Sequence, residues 1–179
     1  MKATVRRILT AYSKASDADR AAGVVWYPNA RELAYEIAGE YVMGAGVIAA
    51  LSPQIQWARN VVLARDAFND HFHGQVGDAI GKARRIIQSC DPDVVLPRGK
   101  KTWHFYHTIL NPMTADHVTI DRHAHNIATG DTTPPRWIGA PLYRELANDY
   151  LVAAHIIGVP VSEVQAVTWV SHTNRRNEA

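Results

Sequence analysis

The amino-acid sequence predicts an all-α protein of about eight short helices arranged in two lobes. Apolar residues recur at helical spacing along almost the whole chain, and no segment with strand character has a partner strand nearby. Proline, glycine and asparagine separate the apolar stripes at short intervals. The length of 179 residues fits one domain, residues 1–179, because single cores span roughly 100–200 residues.

Four helices are predicted in the N-terminal half. Pro28-Asn29 is interpreted as the start signal of the second helix, and Gly44 and Gly46 are interpreted as breaks after it. Residues 47–51 have the composition of a strand, but Ala49 and Ala50 favour a buried helix. The four helices are predicted at residues 5–12, 30–41, 47–51 and 55–68, the last following a break at Ser52-Pro53.

Five further helical segments are predicted after residue 78, and residues that end helices separate them. Asp91-Pro92-Asp93 is expected to stop the first of them, Asn111-Pro112 the second and Gly130 the third. Residues 131–141 form a loop rich in Thr, Pro and Gly, and Ser162 is interpreted as the cap of the last helix. The segments are predicted at residues 79–90, 102–110, 120–128, 143–157 and 162–171.

Composition excludes several classes of protein. A net charge of +2 is too balanced for a polybasic protein, and 47% hydrophobic residues are enough for a folded core. The single cysteine, Cys90, excludes an intramolecular disulfide, a four-cysteine zinc site and a cysteine-ligated iron–sulfur cluster. Without a signal-peptide core or a long apolar segment, the sequence predicts a cytoplasmic protein with no membrane partner.

The first candidate site is a basic, glycine-containing turn that opens a helix. Residues 82–101 contain six cations and two acids, so positive charge is concentrated there. Arg98-Gly99-Lys100-Lys101-Thr102 would place backbone N–H groups and three cations around a phosphate. The alternative is a solvated charged turn. The segment is not a P-loop, because it has neither the required glycine spacing nor a preceding strand.

The second candidate site is Asp121, which falls in the first turn of a predicted helix. There its carboxylate is either a helix cap or an acid/base group in a cleft. Neighbouring His117, His123 and His125 raise the question of a metal, but within this helix only Asp121 and His125 have the i, i+4 spacing of a zinc-binding pair. The prediction is therefore that no metal binds.

A third candidate is Gln54, which follows the helix break at Ser52-Pro53. It would either project from the surface into a partner or cap the next helix. We expect the aromatic residues to be buried in the core rather than to stack on a base; they are Trp26, Tyr27, Trp57 and Trp103.

Four segments, in this order, resemble motifs of the helix-hairpin-helix DNA glycosylase superfamily of the endonuclease III type. Residues 48–54, ending in Leu51-Ser52-Pro53-Gln54, resemble its Leu-Ser-x-Gln helix junction, and residues 81–87 resemble its Lys-Ala-x-x-Ile-Ile helix. Residues 99–102 resemble the Gly-x-Lys-Thr end of its hairpin, and residues 118–123 resemble its Val-Asp-Thr-His segment. The resemblance covers about residues 40–130, and the 20-residue step from Lys101 to Asp121 fits the family.

The resemblance implies a cleft between two helical lobes and a partner of double-stranded DNA with a damaged or modified base. The Lys101 amine, its pKa lowered by burial and by Lys100, would attack the sugar of a flipped nucleotide, and Asp121 would stabilise the developing charge or deprotonate the nucleophile. Gln54 would fill the gap in the DNA. The other implied DNA-binding residues are Lys82, Arg98, Gly99, Lys100, Thr102 and Arg122. The expected enzyme is a monomer without a cofactor, in a bacterium or a phage-infected cell.

The sequence also departs from this family. Leu96-Pro97-Arg98-Gly99-Lys100 replaces the usual Leu-Pro-Gly-Val-Gly hairpin and keeps one glycine, and the four-cysteine cluster of many members is missing. Two alternatives therefore stay open. One is a phage enzyme that hypermodifies DNA bases on the same scaffold, and the other is a DNA-binding module without catalysis.

Overall fold

The computed structural model describes residues 1–71, 77–114, 116–133 and 137–177, and this part of the chain contains ten helices and no β-strand. The predicted all-α class is confirmed, with ten described helices where about eight were expected. The helices are α1 (Ala3–Ser13), α2 (Asp17–Ala38), α3 (Tyr41–Leu51), α4 (Trp57–Ala67), α5 (Gly77–Ser89), α6 (Pro92–Val95), α7 (Lys101–Leu110), α8 (Arg122–Thr129), α9 (Ala140–Ile157) and α10 (Val161–Asn177).

The chain divides into two compact units. Unit 1 contains residues 1–28 and 112–179, and unit 2 contains residues 29–111. Unit 1 therefore holds α1, the first half of α2 and α8 to α10, whereas unit 2 holds the rest of α2 and α3 to α7.

The core of unit 1 forms where α1 packs against α8, α9 and α10. Ile8, Tyr150 and Val164 are fully buried in it. Gly23 lets α2 approach α10 closely, because a Cβ at this position would lie 2.5 Å from the Cα of Val167. The extended segment 117–121, which leads into α8, places Val118 and Ile120 in the same core.

Unit 2 is built around α3, which packs against α4, α5, α6 and α7. Residues 44–51 of this helix are all buried, as is typical of a helix that is apolar on every side. The buried Asn60 of α4 donates from Nδ2 to the carbonyl of Ile48 at 3.1 Å, which ties the two helices together. The prediction of a buried helix at residues 47–51 is therefore correct, although the helix begins earlier, at Tyr41.

The start of the second helix was predicted wrongly. The second helix does not begin at Pro28-Asn29 but at Asp17, where Ser16 Oγ accepts from the backbone N–H of Asp19, and Pro28 lies inside it. Burial of Tyr27, Ala30 and Ala34 outweighs the cost of an internal proline, about 3 kcal/mol. Tertiary packing thus overrides the local helix-breaking signal.

Gly44 and Gly46 do not interrupt the chain, because both lie within α3. A Cβ on Gly44 would lie 2.1 Å from the carbonyl oxygen of Ala34, and one on Gly46 would lie 2.5 Å from Cγ of Pro92. These glycines therefore serve close helix packing rather than a turn.

Two of the C-terminal expectations also need correction. Ser162 does not cap α10, since it is the second residue of that helix and its hydroxyl donates to the carbonyl of Pro112. Asp91-Pro92-Asp93 ends one helix but starts another: Asp91 accepts from the backbone N–H groups of Asp93 and Val94, and Pro92 is the first residue of α6. Gly130 ends α8 as predicted, with a φ of 74°.

Within the described residues, no single helix has the length and apolar character needed to cross a bilayer. Taken together, α9 and α10 have that length and apolar character, but the chain bends by 102° between them.

Gly44 provides a test of close packing in unit 2. We expect Gly44→Ala to lower the free energy of unfolding by about 1–3 kcal/mol, because the added methyl would overlap the backbone of Ala34. Gly81→Ala is the matched control: this helical glycine has open space around it, so we expect a gain of up to about 1 kcal/mol from helix propensity. Urea unfolding of both variants checks the prediction, and equal stability would contradict it.

Candidate functional site

Asp121 is the N-cap of α8, as one of the two sequence interpretations predicted. Its backbone is extended, with φ −102° and ψ −174°, and its Oδ1 accepts from the backbone N–H of Ala124 at 2.8 Å. The side chain is half-buried, so the carboxylate is both fixed by the helix and partly open to solvent.

Side chains from two helices hydrogen-bond to the backbone of the segment before Asp121, and a side chain from a third helix bonds to one of them. The Tyr143 hydroxyl of α9 donates to the carbonyl of Val118 at 2.8 Å and accepts from the N–H of Ile120 at 3.1 Å. Gln165 of α10 donates from Nε2 to the carbonyl of Thr119 at 3.3 Å. In α2, the Tyr27 hydroxyl donates to Oε1 of Gln165. We call this set, Tyr27, Tyr143 and Gln165, the backbone clamp.

The carboxylate of Asp121 stands among neutral phenols. Burial raises the pKa of Tyr27, Tyr143 and Tyr150 well above the ordinary tyrosine value, and the negative charge of Asp121 adds to the rise in each case. Tyr150 donates to the carbonyl of Ala124, so it also contacts the first turn of α8. At physiological pH these tyrosines stay protonated and act as hydrogen-bond donors without adding charge.

The remaining polar residues near Asp121 have different surroundings. Arg122 is exposed at the start of α8, where its guanidinium is available to a partner. His125 is buried, and the His123 ring lies 5.6 Å from that of His172, between centroids. Over the described ranges, no group of three histidine, cysteine, aspartate or glutamate side chains comes together in a way that could hold a metal ion.

The basic turn in unit 2 forms a short helical hairpin. Helix α6 leads through residues 96–100 into α7, Gly99 adopts a φ of 70°, and the N–H of Lys100 donates to the carbonyl of Pro97 at 3.1 Å. Arg98, Gly99 and Lys100 are exposed, while Lys101 and Thr102 are half-buried. The N-cap residue of α7 is Lys100, and its side chain makes no capping hydrogen bond.

Asp93 joins the two helices of this hairpin. Its Oδ1 accepts from Trp103 Nε1 at 2.8 Å and lies 2.9 Å from His107 Nε2, and the rings of Trp103 and His107 meet edge to face. The indole and imidazole are one turn apart on α7, so a single carboxylate secures both to α6. This contact fixes the hairpin and, with it, the backbone geometry around Gly99.

The other predicted DNA-binding residues differ in how exposed they are. Gln54 is exposed, with a φ of 62°, in the break between α3 and α4, and it does not cap α4, whose N-cap is Gln56. Lys82 forms an ion pair with Asp78 one turn earlier on α5, at 2.5 Å, and this contact lowers the pKa of Asp78. The positive charge of Lys82 is therefore partly neutralised. Arg85 on the same helix is exposed.

Each unit also has a cavity apart from these residues. In unit 1, a cavity of about 170 Å³ is lined by Tyr27, Pro28, Met113 and Glu163, among others. In unit 2, an open depression of about 500 Å³ lies between the end of α4 and α5, with Phe68, Arg84 and Gln88 in its lining. Asp121 and Lys101 line neither one.

The structure describes the two predicted catalytic groups in separate units, Lys101 in unit 2 and Asp121 in unit 1. Their convergence on one nucleotide stays a prediction.

The aromatic residues that were expected in the core differ in burial. Tyr27 is buried, whereas Trp26, Trp57 and Trp103 are half-buried.

Comparison with known proteins identifies a family. The match extends over residues 1–176 and so includes both units. The chain belongs to the DUF7178 family, a family of unknown function. No curated protein and no solved structure matches the chain significantly. For this DUF7178 member, the argument about function therefore depends on the geometry of its own residues.

Sequence reasoning missed the residues that hold the two sites in place. Trp103 and His107 have the i, i+4 spacing of neighbours on a helix, which is a signal for a shared partner, although it does not identify Asp93. Tyr143 and Gln165 are more than 20 residues from the segment that they hold. No local pattern could have linked them to Asp121.

The cap at Asp121 can be separated from the charge. We expect Asp121→Ala to lower the free energy of unfolding by about 1 kcal/mol, because the N–H of Ala124 loses its acceptor. Asp121→Asn keeps a capping oxygen, so its stability should be close to that of the wild type. Thermal unfolding measures both, and equal losses in the two variants would show that the cap contributes little.

The hairpin contact makes its own prediction. Asp93→Ala should lower the free energy of unfolding by about 1–2 kcal/mol, because the Trp103 indole and the His107 imidazole lose a charged acceptor. Val94→Ala, at an exposed neighbouring position, is the control and should be nearly neutral. Chemical denaturation compares them; a neutral Asp93→Ala would mean that the contact does not stabilise the hairpin.

Proposed function

We propose that this protein is a base-excision enzyme that acts on double-stranded DNA with a damaged or modified base. The observation that carries the proposal is the Asp121 site: a half-buried carboxylate at a helix N-terminus, preceded by backbone to which the side chains of Tyr143 and Gln165 hydrogen-bond. A carboxylate fixed in this way suits the stabilisation of positive charge on a sugar.

In this proposal the basic hairpin binds the DNA backbone. Exposed Arg98 and Lys100 supply positive charge, the Gly99 turn lets a phosphate approach the backbone, and the N-terminus of α7 adds the positive end of its helix dipole. Such contacts do not depend on DNA sequence and weaken as the salt concentration rises. Thr102, Arg122 and the partly neutralised Lys82 would add further contacts, and Gln54 would enter the space left by a flipped nucleotide.

The chemistry has two forms that differ in the nucleophile. In the first, a water molecule attacks C1′, Asp121 accepts its proton, and the base leaves with the electron pair of the N-glycosidic bond and takes up a proton. In the second, the neutral amine of Lys101 attacks C1′ instead, and the base leaves in the same way. Loss of a proton from nitrogen and opening of the sugar ring then give a Schiff base, which permits strand cleavage.

Borohydride trapping tests the second form. The protein is incubated with duplexes carrying uracil, an oxidised base or a hydroxymethyluracil-derived base, with and without borohydride. We expect a covalent protein–DNA adduct that Lys101→Ala abolishes. Lys100→Ala is the matched control, because it removes an adjacent exposed charge and should weaken binding while the adduct still forms.

Asp121→Asn tests the role of the carboxylate in either form. Because asparagine preserves the cap, a loss of base release by 100-fold or more would reflect lost chemistry rather than lost folding. Base release without an adduct would assign the first form, with Asp121 activating water. Binding without release in any duplex would overturn the proposal in favour of a DNA-binding module, and a changed base mass without an abasic product would overturn it in favour of base modification.

A further inference from the structure

We infer that Tyr143 is a positioning residue for the Asp121 carboxylate, acting through the backbone rather than by contact with substrate. The inference rests on the proposed function for its catalytic consequence, but its structural basis is independent. Tyr143 lies on α9, 6% exposed, and its ring belongs to the core of unit 1.

One hydroxyl makes two backbone hydrogen bonds across a single peptide segment. It donates to the carbonyl of Val118 at 2.8 Å and accepts from the N–H of Ile120 at 3.1 Å, the residue immediately before Asp121. The donor and one acceptor site of the phenol are both used, so the hydroxyl orientation is determined. The extended backbone is therefore fixed relative to α9 at the point where it enters α8.

The carboxylate is consequently held from both sides. On its N-terminal side the Tyr143 hydroxyl fixes Ile120, and on its C-terminal side the carboxylate itself accepts from the N–H of Ala124. Active groups need placement within about 0.5 Å, and a displacement of about 1 Å can cost about 100-fold in rate. A loosened Ile120 would let Asp121 leave the cap and lose its orientation.

Tyr143 would exert this effect by position and not by charge. Burial, reinforced by the charge of Asp121, raises the pKa of its phenol, which therefore stays neutral at physiological pH. Removing the hydroxyl should therefore lower the rate of chemistry without changing how tightly DNA binds. A residue that merely stabilised the fold would not lower kcat while it left KM unchanged.

The test compares Tyr143→Phe with Tyr12→Phe. Both variants keep a buried ring in unit 1 and lose one hydroxyl, and the Tyr12 hydroxyl donates to Glu163 at 2.6 Å, well apart in sequence from the 118–121 segment. Far-UV circular dichroism and thermal unfolding confirm that both variants are folded. Any loss of stability common to both is thereby accounted for.

The first measurement is amide hydrogen exchange by NMR and needs no DNA. The informative amide is Ala124, because its hydrogen bond is to Asp121 and not to Tyr143. We expect its exchange to be at least fivefold faster in Tyr143→Phe than in Tyr12→Phe. Equal exchange at Ala124 in the two variants would overturn the inference.

The second measurement is base release in a single turnover at saturating DNA. We expect Tyr143→Phe to reduce the rate at least tenfold with an unchanged KM in steady state, and Tyr12→Phe to stay within twofold of the wild type. An equal rate in both variants would overturn the catalytic part of the inference. If the wild type releases no base, the proposed function fails instead, and exchange at Ala124 still decides whether Tyr143 positions Asp121.

Discussion

Buried backbone that is neither helix nor sheet must find its hydrogen bonds elsewhere, and this constraint determines the arrangement around Asp121. The segment 118–120 is buried in unit 1 outside any helix, and no strand lies beside it in the described structure. An unpaired buried N–H or carbonyl costs about 1–3 kcal/mol, so side chains of the surrounding helices must pair with them. Tyr143 and Gln165 do so, and their contacts also fix the acid that follows.

The two units use small residues to bring helices together in the same way. Gly23 lets α2 approach α10 in unit 1, and Gly44 and Gly46 let α3 approach α2 and α6 in unit 2. In each unit these glycines come earlier in the chain than a candidate site, which is Asp121 in unit 1 and the hairpin in unit 2. Rigid packing beneath an exposed polar group is what a binding or catalytic site requires.

The two candidate sites differ in how they are held. Asp121 lies near buried tyrosines that stay neutral, and its charge raises the pKa of each of them. In the hairpin, Arg98 and Lys100 are exposed and Lys101 is half-buried, while Asp93 contacts Trp103 and His107. The first arrangement suits orientation of a reacting group, and the second suits contact with an extended anion.

Local sequence alone was enough for the helical class, the Asp121 cap, the Gly130 stop and the basic turn, because each depends on hydrogen bonds or dihedral preferences within a few residues. Pro28, Gly44, Gly46 and Ser162 were misjudged because long-range packing outweighs their local preferences. The contacts of Asp93 and Tyr143 were decided by the tertiary structure, since a hydrogen bond between distant residues has no local signature. Local sequence therefore identified the candidate groups, and folding decided what holds them.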